Sequence, residues 1–206
     1  NNIILIFDEC SSGFRETFGG LHLKYGVNPD MAMFGKTLGN GYAITAVIGK
    51  DDVMDAAQST FISSTFWTER IGPSAALKAL DVMESCKSWE IITSAGRKLR
   101  SRWILLAESY ELPIIPSGIP ALGAFSLDVP HFLKYKTYIT QEMLKKGFLA
   151  SNSCYTSIAH TDLIFDRYFE ALDPIFSTIA SCEAGTLSID DLLEGPVCHD
   201  GFKRLN

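Results

Sequence analysis

Two groups in this chain have types and placement that could do chemistry together. Asp8 ends the apolar run Ile3-Ile4-Leu5-Ile6-Phe7. Lys36 sits in a turn between Gly35 and Thr37, with Gly39-Asn40-Gly41 close behind. A carboxylate at a strand end can hold a metal or a proton, and an amine in a glycine-flanked turn can hold a phosphate or condense with a carbonyl. The pair therefore points to a nucleotide or cofactor site.

The nucleotide option fails on position and order. Ile3 to Glu9 resembles the acidic strand of a nucleotide hydrolase, and Gly35-Lys36-Thr37 the end of a phosphate loop. The loop's earlier glycine belongs at position 30, which is Asp30, and the lysine element should precede the acidic strand rather than follow it. Pyridoxal phosphate chemistry uses the same two groups in a way the order allows. A lysine amine forms a Schiff base with the cofactor aldehyde, and a carboxylate pairs with the protonated pyridine nitrogen. The ring works as an electron sink only while that nitrogen keeps its proton. A charge-assisted hydrogen bond of about 1.5–3 kcal/mol raises the nitrogen's pKa by about 1–2 units, enough to favour the pyridinium near neutrality. Glycines beside the lysine let backbone approach a flat ring without a Cβ in the way.

Several elements must position this pair. Residues 3–7 are apolar on both faces and predict a strand inside a sheet, with neighbours on each side, which makes a start in mid-domain the expectation. Residues 11–20 predict an irregular loop, Asn28-Pro29-Asp30 a turn, residues 31–34 a short buried strand, and residues 43–49 a further strand. Asp51-Asp52 predicts a cap on a short helix. Pro73 opens a helix to about Ser85, with Ala76, Leu77, Leu80 and Met83 on one face. Ser88 predicts the cap of a long helix over about 89–110. Beyond it Pro113, Pro116, Gly118 and Pro120 punctuate short strands ending at Leu127, a helix over about 134–146 stops at Gly147, and residues 148–158 look extended. Thr161 caps a last long helix, with a kink expected at Pro174 and a polar, loosely attached tail from Gly185. Alternating strands and helices argue for α/β architecture, a mostly parallel three-layer domain over 1–88, followed by a small α+β domain over 89–206.

Composition limits the partners. The chain has 206 residues, 47% hydrophobic and 20% charged, as in an ordinary soluble globular protein. A net charge of −6 without a basic run argues against nucleic acid and anionic membranes. No stretch is long and apolar enough to span a bilayer. The five cysteines, Cys10, Cys86, Cys154, Cys182 and Cys198, form no Cys-x-x-Cys pair and read as reduced cytoplasmic thiols.

An ordered set of motifs then narrows the choice. Ile6-Phe7-Asp8-Glu9-Cys10, Gly13-Phe14-Arg15, Tyr25-Gly26-Val27-Asn28-Pro29-Asp30, Gly35-Lys36-Thr37-Leu38-Gly39-Asn40-Gly41 and Ser64-Thr65 follow one another at family intervals. Together they resemble the second half of a class III pyridoxal-phosphate aminotransferase, on the glutamate-1-semialdehyde aminomutase side, most strongly over 3–77. The resemblance implies a partial type I fold and a homodimer with a shared active site, handling a small amino donor or acceptor. It implies that Asp8 binds the pyridine nitrogen and that Lys36 forms the internal aldimine and then shuttles a proton. Cys10, where the family usually has valine, would pack on a ring face, and Thr65 would reach the phosphate in the neighbouring subunit.

The sequence also departs from the family. Asn40 and Ala43 replace a glycine and a proline. Trp67, Thr68 and Glu69 occupy a segment that the aminomutase branch fills with small residues. The half that supplies the other phosphate donors and the stacking aromatic is absent, so a non-catalytic fragment or interaction module is the alternative reading. Glu9 should face away from Asp8 as a structural partner. Arg15 and His160 read as structural, Cys198-His199 lacks further metal ligands, and Tyr42, Phe66 and Trp67 suggest an aromatic-walled pocket.

Overall fold

The computed structural model describes residues 3–66 and 68–201, which leaves Trp67 outside the described residues. The chain divides into two compact units, Asn1–Thr93 and Ser94–Asn206, with the division falling inside a helix.

In the first unit, strand β1 (Ile6–Asp8) pairs in parallel with β2 (Met31–Phe34), which pairs antiparallel with β3 (Ala46–Gly49). The antiparallel partner has a simple cause, since residues 35–45 are too few for the crossover of a dozen or more that a parallel strand needs. β1 and β2 are joined by a longer path containing the short helix α1 (His22–Tyr25), which stops at Gly26 with φ 64°. β2 lies at the centre and buries Ala32 and Phe34 with Leu38 and Ala76; Phe14, Ile44, Ala46 and Leu80 pack against them.

β1 is shorter than the strand expected over 3–7, with Ile3, Ile4 and Leu5 preceding it. It is an edge strand among the described residues, and Ile3, Ile4, Leu5 and Ile6 are 78%, 53%, 44% and 50% exposed. Helix α2 (Asp51–Met54) runs into a 3-10 turn, and Asp51 and Asp52 lie in its first turn without capping it; Lys50 holds the cap position. Helix α3 (Ile71–Cys86) starts two residues before Pro73 and packs against the turn containing Lys36. It buries Gly72, Ala76 and Met83. Leu77 is 67% exposed because the contact is one narrow stripe and a residue next to Ala76 lies about 100° round the helix. Lys87, with φ 49°, ends α3, and helix α4 (Ser88–Ser109) begins at once.

The second unit has the larger core. β4 (Ile114–Ser117), β5 (Leu122–Leu127) and β6 (Ser153–Tyr155) form an antiparallel sheet in that order. The C-terminal part of α4, α5 (Phe132–Lys145) and α6 (Asp162–Glu183) bury Leu99, Trp103, Ile139, Leu172 and Phe176 with Phe125 of β5. Gly147 stops α5 with φ 82°, and the Thr161 hydroxyl caps α6, accepting from the Ile164 N–H at 3.4 Å. α6 continues through Pro174.

The described part of the tail, to Gly201, is tied down rather than loose. Helix α7 (Ile189–Leu192) buries Ile189, Gln141 donates to the Leu192 carbonyl, and the Cys198 N–H donates to the Thr137 hydroxyl at 2.9 Å. Lys134 and Lys145 reach Asp190 and Glu194.

Candidate active site

Strand alternation sends the two acids that follow Phe7 in opposite directions. Asp8 is exposed, whereas Glu9 is only 3% exposed. Glu9 earns its burial by hydrogen bonds: the Ser12 hydroxyl donates to Oε2, and the His22 backbone N–H donates to Oε1 at 3.0 Å. His22 Nδ1 lies 3.0 Å from the same oxygen. Burial pushes the Glu9 carboxyl up, but donors from Ser12, Leu21 and His22 outweigh it and hold the group below its ordinary value. The loop is tight around this anchor, since a Cβ on Gly20 would fall 2.2 Å from the His22 ring and 2.9 Å from Glu9 Oε1. Glu9 is thus the structural partner that alternation implied. It pins both ends of residues 9–22, the stretch that carries Cys10 and Ser11.

Asp8 is left facing outward as a prepared anion. Its Oδ1 accepts from the Cys10 N–H at 3.0 Å. That bond, then the Cys10 thiol, hold the carboxyl below the usual carboxylate range, and the charge of Lys36 adds to the effect. The Cys10 thiol is pushed up in return, first by its hydrogen bond to Asp8. It is a thiol that packs and donates, not a thiolate.

Lys36 opens a 3-10 turn (Lys36–Leu38) anchored by buried Leu38. Its φ of 42° lies in the left-handed region, which costs a residue with a Cβ about 1–2 kcal/mol. Non-glycine residues held there mark places where the surroundings over-determine the backbone, often at functional sites. The Lys36 amine is exposed and donates to the Ser11 hydroxyl, and Asn40 N–H closes the turn on the Lys36 carbonyl at 3.0 Å. The preceding Gly35 is extended, and a Cβ there would lie 3.4 Å from Thr45 Cγ2 and 3.6 Å from Cys10 Sγ. A side chain at 35 would occupy the space beside Cys10 that the glycine keeps open.

Asp8, Cys10 and Lys36 are therefore brought together, and Ser11 joins them. Pattern could not reveal Ser11, because a serine among turn residues has no periodicity to mark it. Arg15 holds the same loop, its Nε donating to the Ser11 carbonyl at 3.4 Å and its own carbonyl accepting from Thr93. Thr65 stands outside this linked group, in an exposed irregular stretch where the Ser64 hydroxyl accepts from the Phe66 N–H. Tyr42 and Phe66 are 58% and 73% exposed rather than walling a cavity. His160 takes the structural role, its Nδ1 accepting from the Ser157 N–H. Among the described residues no His, Cys, Asp or Glu cluster is arranged for a metal ion, and no helix is long and apolar enough to cross a membrane.

An ionised carboxylate, a primary amine and a glycine-cleared gap fit the chemistry expected of a pyridoxal phosphate site. The profile of the class-III aminotransferases matches residues 1–164. The chain belongs to the class-III aminotransferase family. A 3-aminobutyryl-CoA aminotransferase of Cloacimonas acidaminovorans is 33% identical over 165 residues, covering 77% of this chain and 40% of that protein. A glutamate-1-semialdehyde 2,1-aminomutase of Methanocaldococcus jannaschii is 30% identical over 196 residues, covering 85% and 45%. The FumI protein of Sphingopyxis sp. MTA144, solved in its PLP internal aldimine form, superposes with a TM-score of 0.81 at 25% identity, over 92% of this chain and 46% of that one. An S-selective transaminase from Bacillus megaterium shares the fold with a TM-score of 0.75 at 21% identity, over 88% and 45%. This class-III aminotransferase chain thus spans under half the length of the relatives it matches. Its α/β fold is that of part of a type I PLP transferase.

Proposed function

We propose that this chain carries the lysine-and-acid side of a site that moves an amino group on a small metabolite, between molecules or within one. The cofactor of the class-III aminotransferase family is pyridoxal 5'-phosphate. When bound, it offers an aldehyde that condenses with primary amines and a ring that accepts the electron pair left when a substrate C–H bond breaks. One observation carries the reading: Lys36, at a backbone angle unfavourable for a lysine, holds its amine beside Ser11 within the electrostatic reach of an exposed, ionised Asp8.

The chain's own groups have distinct parts. Asp8, kept anionic by Cys10, pairs with the ring N–H and so favours the protonated ring. Cys10 fills the space against a ring face as a small apolar group. Lys36 Nζ would hold the cofactor, and as a free amine it would take the proton from the substrate carbon and deliver it to a neighbouring carbon. Ser11 accepts from Nζ and restricts where that amine can swing. Thr65 donates to the phosphate of a cofactor held by a second copy, which makes the working form a homodimer; exposed Phe61 and Phe66 flank it for such a contact. The five free thiols fit a cytoplasmic setting.

A second reading has its own support. The exposed apolar run Ile3–Ile6, which leads into the edge strand β1, suits a chain that does no catalysis alone and acts only when further polypeptide covers it. Equilibrium binding of pyridoxal phosphate to the chain, compared with Asp8→Asn, separates the two. The catalytic reading expects Asp8→Asn to weaken binding about tenfold or more, the worth of one charge-assisted bond. Equal affinity for both proteins removes Asp8 from the site.

A further inference from the structure

The second unit contains a cavity that the aminotransfer reading does not use. It lies among β6, the loop after α5 and the start of α6, and has a volume of about 240 Å³. That exceeds the roughly 150 Å³ of a cavity that takes up benzene and falls below the 300–1,000 Å³ of drug-sized sites. Leu99, Phe148, Ile164 and Phe165 supply its apolar wall, and no Asp, Glu, Lys or Arg lines it. An ionic ligand would therefore give up its hydration without a counter-charge.

Ser153, Cys154, Tyr155, His160 and Tyr168 supply its polar groups. Tyr168 is only 8% exposed, and its oxygen accepts from the Trp103 indole N–H at 3.0 Å. An indole N–H only donates, so that bond leaves the phenolic O–H still to be placed, and among the described residues it donates to no acceptor. Burial pushes the phenol up, which keeps it protonated near neutrality. His160 lines the same cavity. Its Nδ1 is occupied as an acceptor by the Ser157 N–H at 3.0 Å, which leaves Nε2 as its donor. A buried donor without an acceptor is costly, and a ligand oxygen would relieve it.

We propose that this cavity binds a small, neutral, largely apolar molecule bearing one carbonyl oxygen, which accepts from the Tyr168 O–H. The site stands independently of the cofactor site in the first unit. Its body is the size of one substituted aromatic ring, and carboxylates and amines meet no Asp, Glu, Lys or Arg on the wall to offset their charge.

Acetophenone and ethylbenzene share that skeleton and differ in the carbonyl. Both are titrated into the full chain and into Tyr168→Phe by ligand-observed NMR, with benzoate as the charged probe. Acetophenone should lose about twofold to tenfold in affinity on Tyr168→Phe, ethylbenzene should not, and benzoate should bind neither protein. Equal losses for both neutral probes would make Tyr168 a packing residue and overturn the proposal, as would tight benzoate binding. Because Tyr168→Phe also removes the acceptor of Trp103, two wild-type measurements decide the matter if that variant fails to fold. Acetophenone should slow methylthiolation of Cys154, a wall residue, in mapped peptides. Its bound carbonyl stretch should move to lower frequency than in alkane. An unprotected Cys154, or an alkane-like stretch, refutes the site.

Discussion

Glu9→Gln tests whether one buried carboxylate organises the loop that carries the site. Glutamine keeps the shape of Glu9 but not its charge. Glu9 receives the Ser12 hydroxyl and both the backbone N–H and ring nitrogen of His22 while 3% exposed. Glutamine retains one acceptor oxygen and turns an NH2 group towards groups that are themselves donors. With hydrogen bonds to a charged acceptor contributing about 1.5–3 kcal/mol each, and one of them surviving in neutral form, the expected loss is about 2–4 kcal/mol. The pH dependence has a definite sign. The Glu9 carboxyl is held below its ordinary 4.5 in the folded chain, so its contribution is complete above that value and is lost as pH falls through the lower, folded one. Wild type should therefore weaken below pH 4.5 more steeply than Glu9→Gln. The assay is hydrogen exchange at increasing urea, read on peptides covering 9–22 and 31–34, at neutral pH and on the acid side. A change under about 0.5 kcal/mol, the range of ordinary surface substitutions, would refute the anchoring role, and so would identical acid limbs.

Two further substitutions test the packing of the second unit. Gly96→Ala places a Cβ 1.9 Å from the Pro120 carbonyl oxygen, where both neighbours are backbone, so urea unfolding should show a loss of about 3 kcal/mol or more; a neutral result would mean that α4 and the β4–β5 corner are not in that contact. Ile139→Ala, at a fully buried position on α5, should cost about 2–5 kcal/mol in the same measurement, and a loss below 1 would place α5 outside the core.

Much of this arrangement was legible before any coordinates, for identifiable reasons. Asp8 and Glu9 separate because a strand alternates, and that rule is local. Gly147 and Thr161 mark helix ends because caps depend on neighbouring backbone. Lys36 stood out because glycines surround it, although its left-handed backbone had no signature of its own. Long-range consequences were not legible. Cys198 finds Thr137, and Lys145 finds Glu194, through folding that brings distant segments together, so a polar tail read as loose. Leu77 shares the periodicity of a buried face but is 67% exposed, because periodicity gives a face and not its width. The run over 3–7 has the composition of a sheet interior, yet the strand begins only at Ile6 and has β2 as its one partner among the described residues, since composition records the burial a strand suits rather than the neighbours present. Ser11 entered the site only through its hydrogen bond with Lys36.

The central claim is that Lys36 is the amine that holds the cofactor, in company with Asp8. Borohydride reduction of the chain after incubation with pyridoxal phosphate, followed by peptide mapping, tests it most directly. A pyridoxyl group should concentrate on Lys36, and less of it should appear there in Asp8→Asn. Label spread over exposed lysines such as Lys87 and Lys98 in proportion to their accessibility, with no preference for Lys36, would contradict it.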